Sequence, residues 1–595
     1  MSVEGEQSAT RSSAAPLGSV AASGAAGSVV PGSSSRSSTV SSPPGSSRAF
    51  RLELTAFALL ALLPLVPYLV FLLDVGAPRY TIFADHALME HETLHVFQGD
   101  TLLGLGSRFR WHHPGPLLFY FCAPFQKLWG SSSTGFYTGT WALAALSAAA
   151  PVIATRLVAG RAHAIGVLAV TLAWFAAFGN LAVNPWVRTV VVLPFMAYFV
   201  LMALFARGSS ACALPGVLFG AVVVQTHVAS ASTVGVVGVL ATAAFVVGAR
   251  RRGPIRRRDV VWLGAMVVGA LVVFAPLAIE QLRAPAGEGN ISRLLAFARD
   301  RQEPLRPWSV AFKNWVLATS WLPDRLLERS LLHEGALPAV MRWDPVPVGI
   351  SRTAGVLALL HVVAVAVAIV VALRRRDVSS LALLALGALG SVLAASALRA
   401  LVGEEHYSLI VWTTVPSSVA WIGVATTAAS ALAVRLPRLS AVRVRALVAG
   451  GLVLAAIPTA LNRSWLARNP EAPGTFPAAA PSLQAVLGAV EDRLARDGAV
   501  PVVHMMGAWT WATAVVLELE KDGVDVRIAD ADTWSYAGAK TARGAPRALH
   551  LYFEIPVDPL PVAPCVELLA ARADVKVFVS ATDVATCAPS APADR

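Results

Sequence analysis

The chain has 595 residues, of which 56% are hydrophobic and only 14% are charged, a balance far from that of soluble proteins. Apolar runs of about 20 residues recur, and each is long enough to cross a bilayer as a helix. The net charge of +12 comes mostly from arginines beside these runs, so it indicates membrane topology rather than nucleic-acid binding. The sequence therefore predicts a polytopic α-helical membrane protein.

The first 48 residues differ from the rest of the chain. Residues 1–48 consist mainly of Ser, Gly, Ala and Pro, with almost no large apolar side chains. Such a segment cannot bury a core, so we expect a disordered cytoplasmic tail. No short apolar stretch with a small-residue cleavage site stands at the extreme N-terminus. We therefore expect the first apolar run, about residues 52–73, to be an uncleaved anchor.

The densest run of ionisable side chains outside the tails lies after this first apolar run, from Phe83 to Tyr120. Its carboxylates come first and its cations cluster late. It ends in Pro114-Gly115-Pro116 and an aromatic run typical of a membrane interface. A solvated surface loop also carries charge by default, so composition alone leaves a functional and a plain loop equally open. The ionisable residues are Asp85, Glu90, Glu92, Asp100, Arg108, Arg110, His112 and His113.

Three stretches of this run, ADHALME, GLGSRFRWHHPGP and FYFCAPF, resemble the first outer loop of GT-C glycosyltransferases, which use lipid-linked sugars. That group includes the protein O-mannosyltransferases and the aminoarabinose transferases of lipid A. The resemblance covers Phe83–Phe125 and is only architectural elsewhere. It implies that an acidic residue soon after the first membrane helix is the catalytic base, which here is Asp85. Those two subfamilies carry a Lys-Pro-Pro-like element where this chain has His113-Pro114-Gly115-Pro116, so the resemblance names neither the sugar nor the acceptor.

Basic clusters set the expected orientation, because cytoplasmic loops are rich in Lys and Arg. Arg48 and Arg51 precede the first apolar run, which predicts a cytoplasmic N-terminus. Keeping the later clusters inside as well requires an even number of crossings between them. We expect the segment 115–129, which is short for a crossing, to lie at the membrane interface. About eleven transmembrane spans result, at 52–73, 134–155, 162–179, 188–206, 211–227, 229–248, 259–280, 351–373, 380–398, 407–430 and 446–462.

The predicted transmembrane module, residues 49–464, has two long outer loops, 74–133 and 281–350. The second loop carries tryptophans among charged residues, which predicts amphipathic helices at the interface. A lid that only packs explains them equally well. In the resembled family the corresponding loop is mobile and closes over the substrate, so the resemblance implies the same here. The tryptophans are Trp308, Trp315, Trp321 and Trp343.

After a Pro-rich linker, residues 465–481, the pattern changes to alternating short helices and strands. This alternation predicts a small extracytoplasmic α/β domain at residues 482–595. Cys565 and Cys587 could form a disulfide there in an oxidising compartment. The predicted helices lie near 483–496, 508–521 and 566–572, and the predicted strands near 500–504, 524–528, 548–553 and 575–579.

Sugar transfer from a polyprenyl phosphate needs a base for the acceptor hydroxyl and cations for the departing phosphate. Asp85 and Glu90 are the candidate catalytic residues, Glu90 as an orienting neighbour of Arg108 or of the acceptor. Arg108 is the first candidate for substrate binding, because the guanidinium fork binds phosphate oxygens in pairs. We expect this loop and two outer turns to converge on one cavity. The other candidate substrate-binding residues are His112, His113, His227, Arg399 and His406.

The sequence thus predicts a glycosyltransferase of the inner (plasma) membrane, with a GT-C-like module and an extracytoplasmic C-terminal domain. Its expected partners are a polyprenyl-phosphate-linked sugar donor, a protein, lipid or glycan acceptor, and membrane lipids, with no nucleic acid. We expect no cofactor and no metal, because no adjacent acidic pair resembles the metal-binding signature of oligosaccharyltransferases and the resembled enzymes are metal-independent. A transporter or flippase is the first alternative, although the predicted central spans are nearly free of charge. A membrane-anchored receptor is the second.

Overall fold

The described part of the chain is mostly helical and ends in a five-stranded sheet. It comprises residues 48–252, 256–330, 345–435, 444–535, 541–542, 545, 547–556 and 565–583 of a computed structural model. The predicted disordered tail lies outside these residues except for Arg48, and so do Trp343 and Cys587. The α-helices are α1 Arg48–Leu62, α2 Val66–Asp74, α3 Ala84–His95, α4 Leu117–Leu128, α5 Ser133–Val158, α6 Arg161–Phe178, α7 Val192–Arg207, α8 Ala213–Thr226, α9 Ala231–Arg252, α10 Arg257–Arg283, α11 Asn290–Arg299, α12 Trp308–Ser330, α13 Arg352–Arg375, α14 Val378–Leu398, α15 Tyr407–Ile410, α16 Thr414–Arg435, α17 Val444–Arg468, α18 Ala480–Asp497 and α19 Trp509–Lys521.

Membrane-crossing capacity is spread along the chain, which is a polytopic α-helical membrane protein. Within the described residues, eight helical segments are long and apolar enough to cross a bilayer. The three remaining predicted spans overlap the shorter apolar helices α7 and α8 and the helix α17. The predicted interfacial segment forms α4. The eight segments are Arg48–Asp74, Ser133–Val158, Arg161–Leu181, Val228–Arg251, Arg257–Arg283, Arg352–Arg375, Val378–Leu398 and Tyr407–Arg435.

One predicted span begins too early. The span 188–206 was expected to start at Arg188, but α7 starts at Val192. Residues 182–191 instead form an irregular, mostly buried loop, which we call the 182–191 loop. Pro185 disfavours a helical conformation at the residue before it, and the Asn184 side chain accepts a hydrogen bond from the Trp186 backbone. Arg188 therefore lies outside the helix.

A buried carboxylate in the first helix shows how a charge is tolerated in an apolar run. Glu53 of α1 is 2% exposed. It accepts hydrogen bonds from Arg156 at 2.9 Å and from Arg161 at 2.6 Å, near the turn between α5 and α6. A buried charge needs such partners. These two arginines hold α1 against α5 and α6.

The C-terminal sheet has the strand order β2-β1-β3-β5-β4. Strand β1 runs parallel to both β2 and β3, whereas β5 runs antiparallel to β3 and β4. The predicted small α/β unit is thus present, but the predicted helix at 566–572 is wrong. Its residues form a strand because they pair with β5 in a hairpin, and pairing overrides their helix propensity. Cys565 is disulfide-bonded. The strands are β1 Val500–Gly507, β2 Arg527–Ile528, β3 Ala548–Glu554, β4 Glu567–Ala571 and β5 Lys576–Ser580.

The α/β unit packs against residues 75–132, which we call the α2–α5 segment. Ile82 pairs with Thr475 of the linker as an isolated β-bridge, and the Phe476 backbone donates to the Thr81 carbonyl at 2.7 Å. Next to this bridge, the Phe83 ring meets Trp511 of α19 edge to face at 5.0 Å. These contacts fix the point at which α3 begins. The independence of the C-terminal domain remains a prediction.

Candidate active site

Asp85 lies in the first turn of α3, where the helix dipole favours a carboxylate. The backbone reaches this turn through Ala84, which has a positive φ of 55°. The Trp186 indole N–H donates a hydrogen bond of 2.7 Å to Asp85 Oδ2. Beside it, His86 Nε2 lies 3.0 Å from the Asn184 side-chain oxygen. The 182–191 loop thus holds both the carboxylate and its neighbour in α3.

Arg188 is the central cation of the candidate site. Its guanidinium carbon lies 4.6 Å from the centre of the Trp186 ring, and Nη1 donates to Ser408 Oγ at 3.0 Å. Burial lowers the pKa of Arg188 to about 10, with Asp85 acting in the opposite sense and Arg108 in the same sense. The group therefore stays protonated near neutral pH. It is a buried, oriented cation beside the Asp85 carboxylate, as phosphate binding requires.

Arg108 reaches the same region from a short hairpin of the α2–α5 segment. Gly106 pairs with His112 across the hairpin. Arg108 is exposed, and its side chain approaches Gly403, where an added Cβ atom would lie 2.7 Å from Arg108 Nη2. The positive φ of Gly403, 83°, favours glycine there. The charge of Arg108 helps to lower the pKa of Arg188, so the two cations lie within electrostatic range of each other.

His113 and His227 meet behind Arg188, with ring centres 6.0 Å apart. The Val228 backbone N–H donates to His113 Nδ1 at 3.2 Å, so the neutral ring carries its proton on Nε2. Burial lowers the pKa of His227 to about 3, helped by Arg188, and burial with His227 lowers the pKa of His113. Both imidazoles are therefore neutral. The structure thus brings the His227 turn to the Asp85 region.

His112 and His406 lie nearby with other contacts. His112 Nδ1 lies 3.1 Å from the Gly104 carbonyl, and its backbone exchanges two hydrogen bonds with the Asn290 side chain at 2.7 and 2.9 Å. His112 thereby attaches the hairpin to the start of α11. His406 is buried and stands two residues before Ser408 in the chain. Its Nε2 lies 3.6 Å from the Glu404 carboxylate.

Two predicted site residues occupy other places. Glu90 is fully buried in the middle of α3, where it pairs with Lys521 at 2.8 Å and accepts from Ser133 at 2.9 Å. Arg399 donates to the Arg306 carbonyl at 2.9 Å and lies over the Trp308 ring at 4.2 Å. Among the described contacts, neither side chain joins Asp85. Glu90 links α3 to α19. Arg399 links the end of α14 to the residues at the start of α12.

Trp186, Arg188 and Ser408 are the residues of this site that the sequence analysis missed. The available signal was Asn184-Pro185-Trp186-Val187-Arg188, an interruption by Pro and an ionisable residue inside an otherwise apolar run. An ionisable residue within an apolar, membrane-spanning run indicates a functional site by default. The sequence analysis counted Arg188 as the first residue of a membrane span and therefore did not consider it as a site residue.

An apolar cavity of about 700 Å³ lies between α7, α8, α9 and α10. Its lining includes Val224 and Val234, which stand on either side of the His227 turn. The polar side chains in the lining are satisfied internally, since Tyr198 donates to the Val234 carbonyl and Thr242 to the Gly238 carbonyl. The cavity therefore suits a hydrocarbon chain.

Comparisons with known proteins give structural neighbours only. No family model matches the chain, and no curated protein matches it. The fold is similar to a crystal structure of ArnT from Cupriavidus metallidurans bound to undecaprenyl phosphate, with a TM-score of 0.47, 11% identity and coverage of 87% of this chain and 97% of that one. The apo crystal structure of the same protein gives a TM-score of 0.43 and 12% identity, over 89% of this chain and 98% of that one.

Proposed function

We propose that this protein is a membrane glycosyltransferase that moves a sugar from a polyprenyl-phosphate donor to an acceptor hydroxyl on the outer face of the membrane. One observation carries the proposal: the Asp85 carboxylate and the buried Arg188 guanidinium both contact the Trp186 side chain. A base and a phosphate-binding cation are thus held side by side by one indole. Transfer from a lipid phosphate requires these two groups together.

In the proposed step, the acceptor oxygen attacks the anomeric carbon of the sugar and Asp85 takes the acceptor proton. As the new carbon–oxygen bond forms, the bond between that carbon and the phosphate oxygen breaks. The polyprenyl phosphate leaves with the electron pair. The Trp186 hydrogen bond on Oδ2 orients the carboxylate for the proton transfer.

The leaving phosphate gains negative charge during this step, and preorganised cations stabilise such charge best where water is scarce. Arg188 meets that need, because it is partly buried and stays protonated near neutral pH. Arg108, which is exposed, adds a second cation from the hairpin. His113 has an Nε2 proton and so offers a neutral donor near the same place.

The lipid part of the donor has a place in the same scheme. The apolar cavity between α7 and α10 accepts the isoprenoid chain, while the phosphate lies with Arg188 and Arg108. In this scheme the protein lies in the inner membrane, with its N-terminus in the cytoplasm and its α/β unit outside the cytoplasm. The acceptor is a hydroxyl of a protein, a lipid or a glycan.

The test is sugar transfer by the purified full-length protein from radiolabelled polyprenyl-phosphate sugars. Asp85→Asn keeps the volume and the Trp186 hydrogen bond but removes the basicity, so transfer should fall about a hundredfold to ten-thousandfold with donor binding retained. Arg188→Lys keeps the charge but loses the fork, so it should weaken both donor binding and turnover. The matched controls are Asp74→Asn, an exposed carboxylate at the end of α2, and Arg110→Lys, an exposed cation of the same hairpin.

Normal transfer by Asp85→Asn would exclude Asp85 as the base. A different outcome would favour the transporter or flippase alternative: no transfer with any donor, together with movement of a lipid-linked sugar across vesicles that contain the protein. In that case Arg188→Lys should reduce the movement and Asp85→Asn should leave it unchanged.

A further inference from the structure

Helix α3 carries a second set of functional side chains, away from Asp85. The sequence His91-Glu92-Thr93-Leu94-His95 places two imidazoles on one helix face, because residues four apart are neighbours there. The two side chains are 2% and 7% exposed. Their rings are stacked, with centres 4.4 Å apart. His-Glu-x-x-His on a helix is a spacing with which two imidazoles bind one zinc ion.

A third potential ligand reaches the same point from the α/β unit. Glu520, near the end of α19, places Oε2 at 2.9 Å from His91 Nε2 and at 3.0 Å from His95 Nε2. The three potential ligand atoms lie within 4.8 Å of one another. This spacing suits ligands of one ion, since zinc bonds to imidazole nitrogen and carboxylate oxygen are about 2.0–2.2 Å long.

We propose that His91, His95 and Glu520 form a binding site for a divalent transition metal ion, with Zn²⁺ as the favoured occupant. Two imidazoles and one carboxylate are a donor set that zinc accepts, and zinc imposes little geometric preference of its own. Glu92 and Asp100 lie close enough to act electrostatically on His95, so they offset the charge of the ion. The site is independent of sugar transfer, and it revises the sequence-based expectation of no metal.

The surroundings give the ion a structural role. Two further polar links join the same two elements next to the proposed site, Glu90 to Lys521 at 2.8 Å and Arg79 to Glu518 at 3.1 Å. The ion would be a third and stronger link between the α2–α5 segment and α19. Both imidazoles are nearly inaccessible to solvent and the Glu520 side chain is only 18% exposed, so the site holds an ion rather than presenting it to a substrate.

The sheet provides a matched control cluster of His504, His550 and Asp583. There His504 Nε2 lies 2.9 Å from His550 Nδ1, and Asp583 accepts from the Tyr552 hydroxyl at 3.2 Å. Its histidines lie on two strands and one of them is less buried, whereas the α3 pair has helical spacing and full burial. We therefore assign the ion to α3 and α19 and use His504 as the control position.

The experiment measures metal in the full-length protein purified in detergent. After loading with Zn²⁺ and dialysis, elemental analysis should give about one zinc per wild-type chain. His95→Gln and Glu520→Gln should each weaken zinc binding by more than roughly 100-fold. Each removes a direct ligand, and losing only an outer-shell partner already costs up to that factor. His504→Gln should bind zinc like the wild type. Added Zn²⁺ should raise the apparent melting temperature of the wild type and of His504→Gln but not of the other two variants.

The proposal is wrong if the loaded wild type holds no metal, if His95→Gln and Glu520→Gln both retain it, or if His504→Gln loses it. If a ligand variant fails to fold, the site can be tested instead by loading the wild type and His504→Gln with Co²⁺ and recording the absorption spectrum of the bound cobalt. Cobalt bound to nitrogen and oxygen ligands, in the wild type and equally in His504→Gln, supports the site. Loss of the cobalt spectrum in His504→Gln assigns the ion to the sheet. Because no readout depends on sugar transfer, the outcome is separate from that of the proposed function.

Discussion

The Trp186 indole N–H donates a hydrogen bond of 2.7 Å to Asp85, while the ring face lies under Arg188. The two contacts use different parts of the indole, the N–H edge and the π face. One side chain therefore sets the distance between the proposed base and the proposed phosphate ligand. Trp186 comes from the 182–191 loop, between two membrane helices, so the packing of those helices fixes the geometry of the site.

Replacing Trp186 by Phe separates the two contacts. The variant keeps a ring face under Arg188 but loses the hydrogen bond to the carboxylate. A hydrogen bond to a charged group contributes about 1.5–3 kcal/mol, so we expect turnover to fall about tenfold or more with donor binding nearly unchanged. Steady-state transfer at varied donor concentration measures this. Trp141→Phe is the control, because Trp141 donates to the Leu65 carbonyl at 3.0 Å, away from the site. Equal losses in both variants would show that the effect is not specific to Asp85.

Glu90 and Lys521 give a prediction about stability rather than turnover. Glu90 is 0% exposed, and its partner Lys521 is 10% exposed. Removing one partner of a buried ion pair costs about 3–5 kcal/mol, so Glu90→Gln should lower the thermal stability strongly while the folded fraction keeps its transfer activity. The double variant Glu90→Gln with Lys521→Met should recover part of the loss. The exposed pair of Arg493 and Asp497 is the control, and Arg493→Gln should change little. A stable but inactive Glu90→Gln enzyme would instead support the catalytic role predicted from the sequence.

The buried imidazole of His227 should make the protein sensitive to acid. Its pKa in the folded state is about 3, lowered by burial and by Arg188, against an ordinary value of 6.5. Below pH 6.5 the unfolded chain therefore binds a proton that the folded protein does not. The free energy of unfolding falls with pH down to about 3, by up to about 1.4 kcal/mol per pH unit from this residue. The His113 ring lies beside the His227 ring. The charge of Arg188 disfavours a proton on His227.

His227→Asn should therefore lose less stability than the wild type between pH 7 and pH 5. Apparent melting temperatures in detergent at the two pH values measure the difference. His163→Asn serves for comparison, because His163 lies 3.0 Å from the Asp377 carboxylate and has a compensating charge. That variant should not become less sensitive to acid than the wild type. Equal acid sensitivity of His227→Asn and the wild type would contradict a neutral buried imidazole.

The orientation predicted from the arginines can be tested with single cysteines. Gln98→Cys and Gln302→Cys, both at exposed positions, should react with a membrane-impermeant maleimide added to intact cells. Arg257→Cys, also exposed, should react only after lysis. The native free cysteines among the described residues, Cys122 and Cys212, are buried and give a low background. Labelling of Arg257→Cys in intact cells, with protection of the other two, would reverse the orientation.

Hydrophobic length and charge placement were enough to predict most of the architecture. Each of the eleven predicted spans overlaps a helix, because a run of about 20 apolar residues has few other stable conformations in a membrane. Only the span 188–206 begins clearly too early. The strand β4 was mistaken for a helix, since Glu567–Ala571 has good helix formers and its pairing with β5 is not visible in a local pattern. Parity of crossings placed residue 188 in a span, although Pro185 and Asn184 end the helix pattern there.

Site prediction depended on contacts between distant parts of the chain. The meeting of His113 with the His227 turn followed from topology, because both lie at helix ends on one side of the predicted module. The partners of Glu90 and Arg399 did not, since Lys521 and Arg306 are ordinary polar residues in sequence. The His91 and His95 spacing was visible, but its significance depends on Glu520, 425 positions beyond His95.

The bond between Arg79 and Glu518 joins residues 439 positions apart, and the neighbouring bridge joins Ile82 to Thr475. Pairings this distant form late, because nearly the whole chain must be synthesised before both partners exist. The turn that carries Asp85 therefore takes its final position only after the last helix is inserted and α19 has folded. During biogenesis the early helices therefore enter the membrane before the Asp85 turn is in place, and a chain that stalls before α19 should lack the proposed active site.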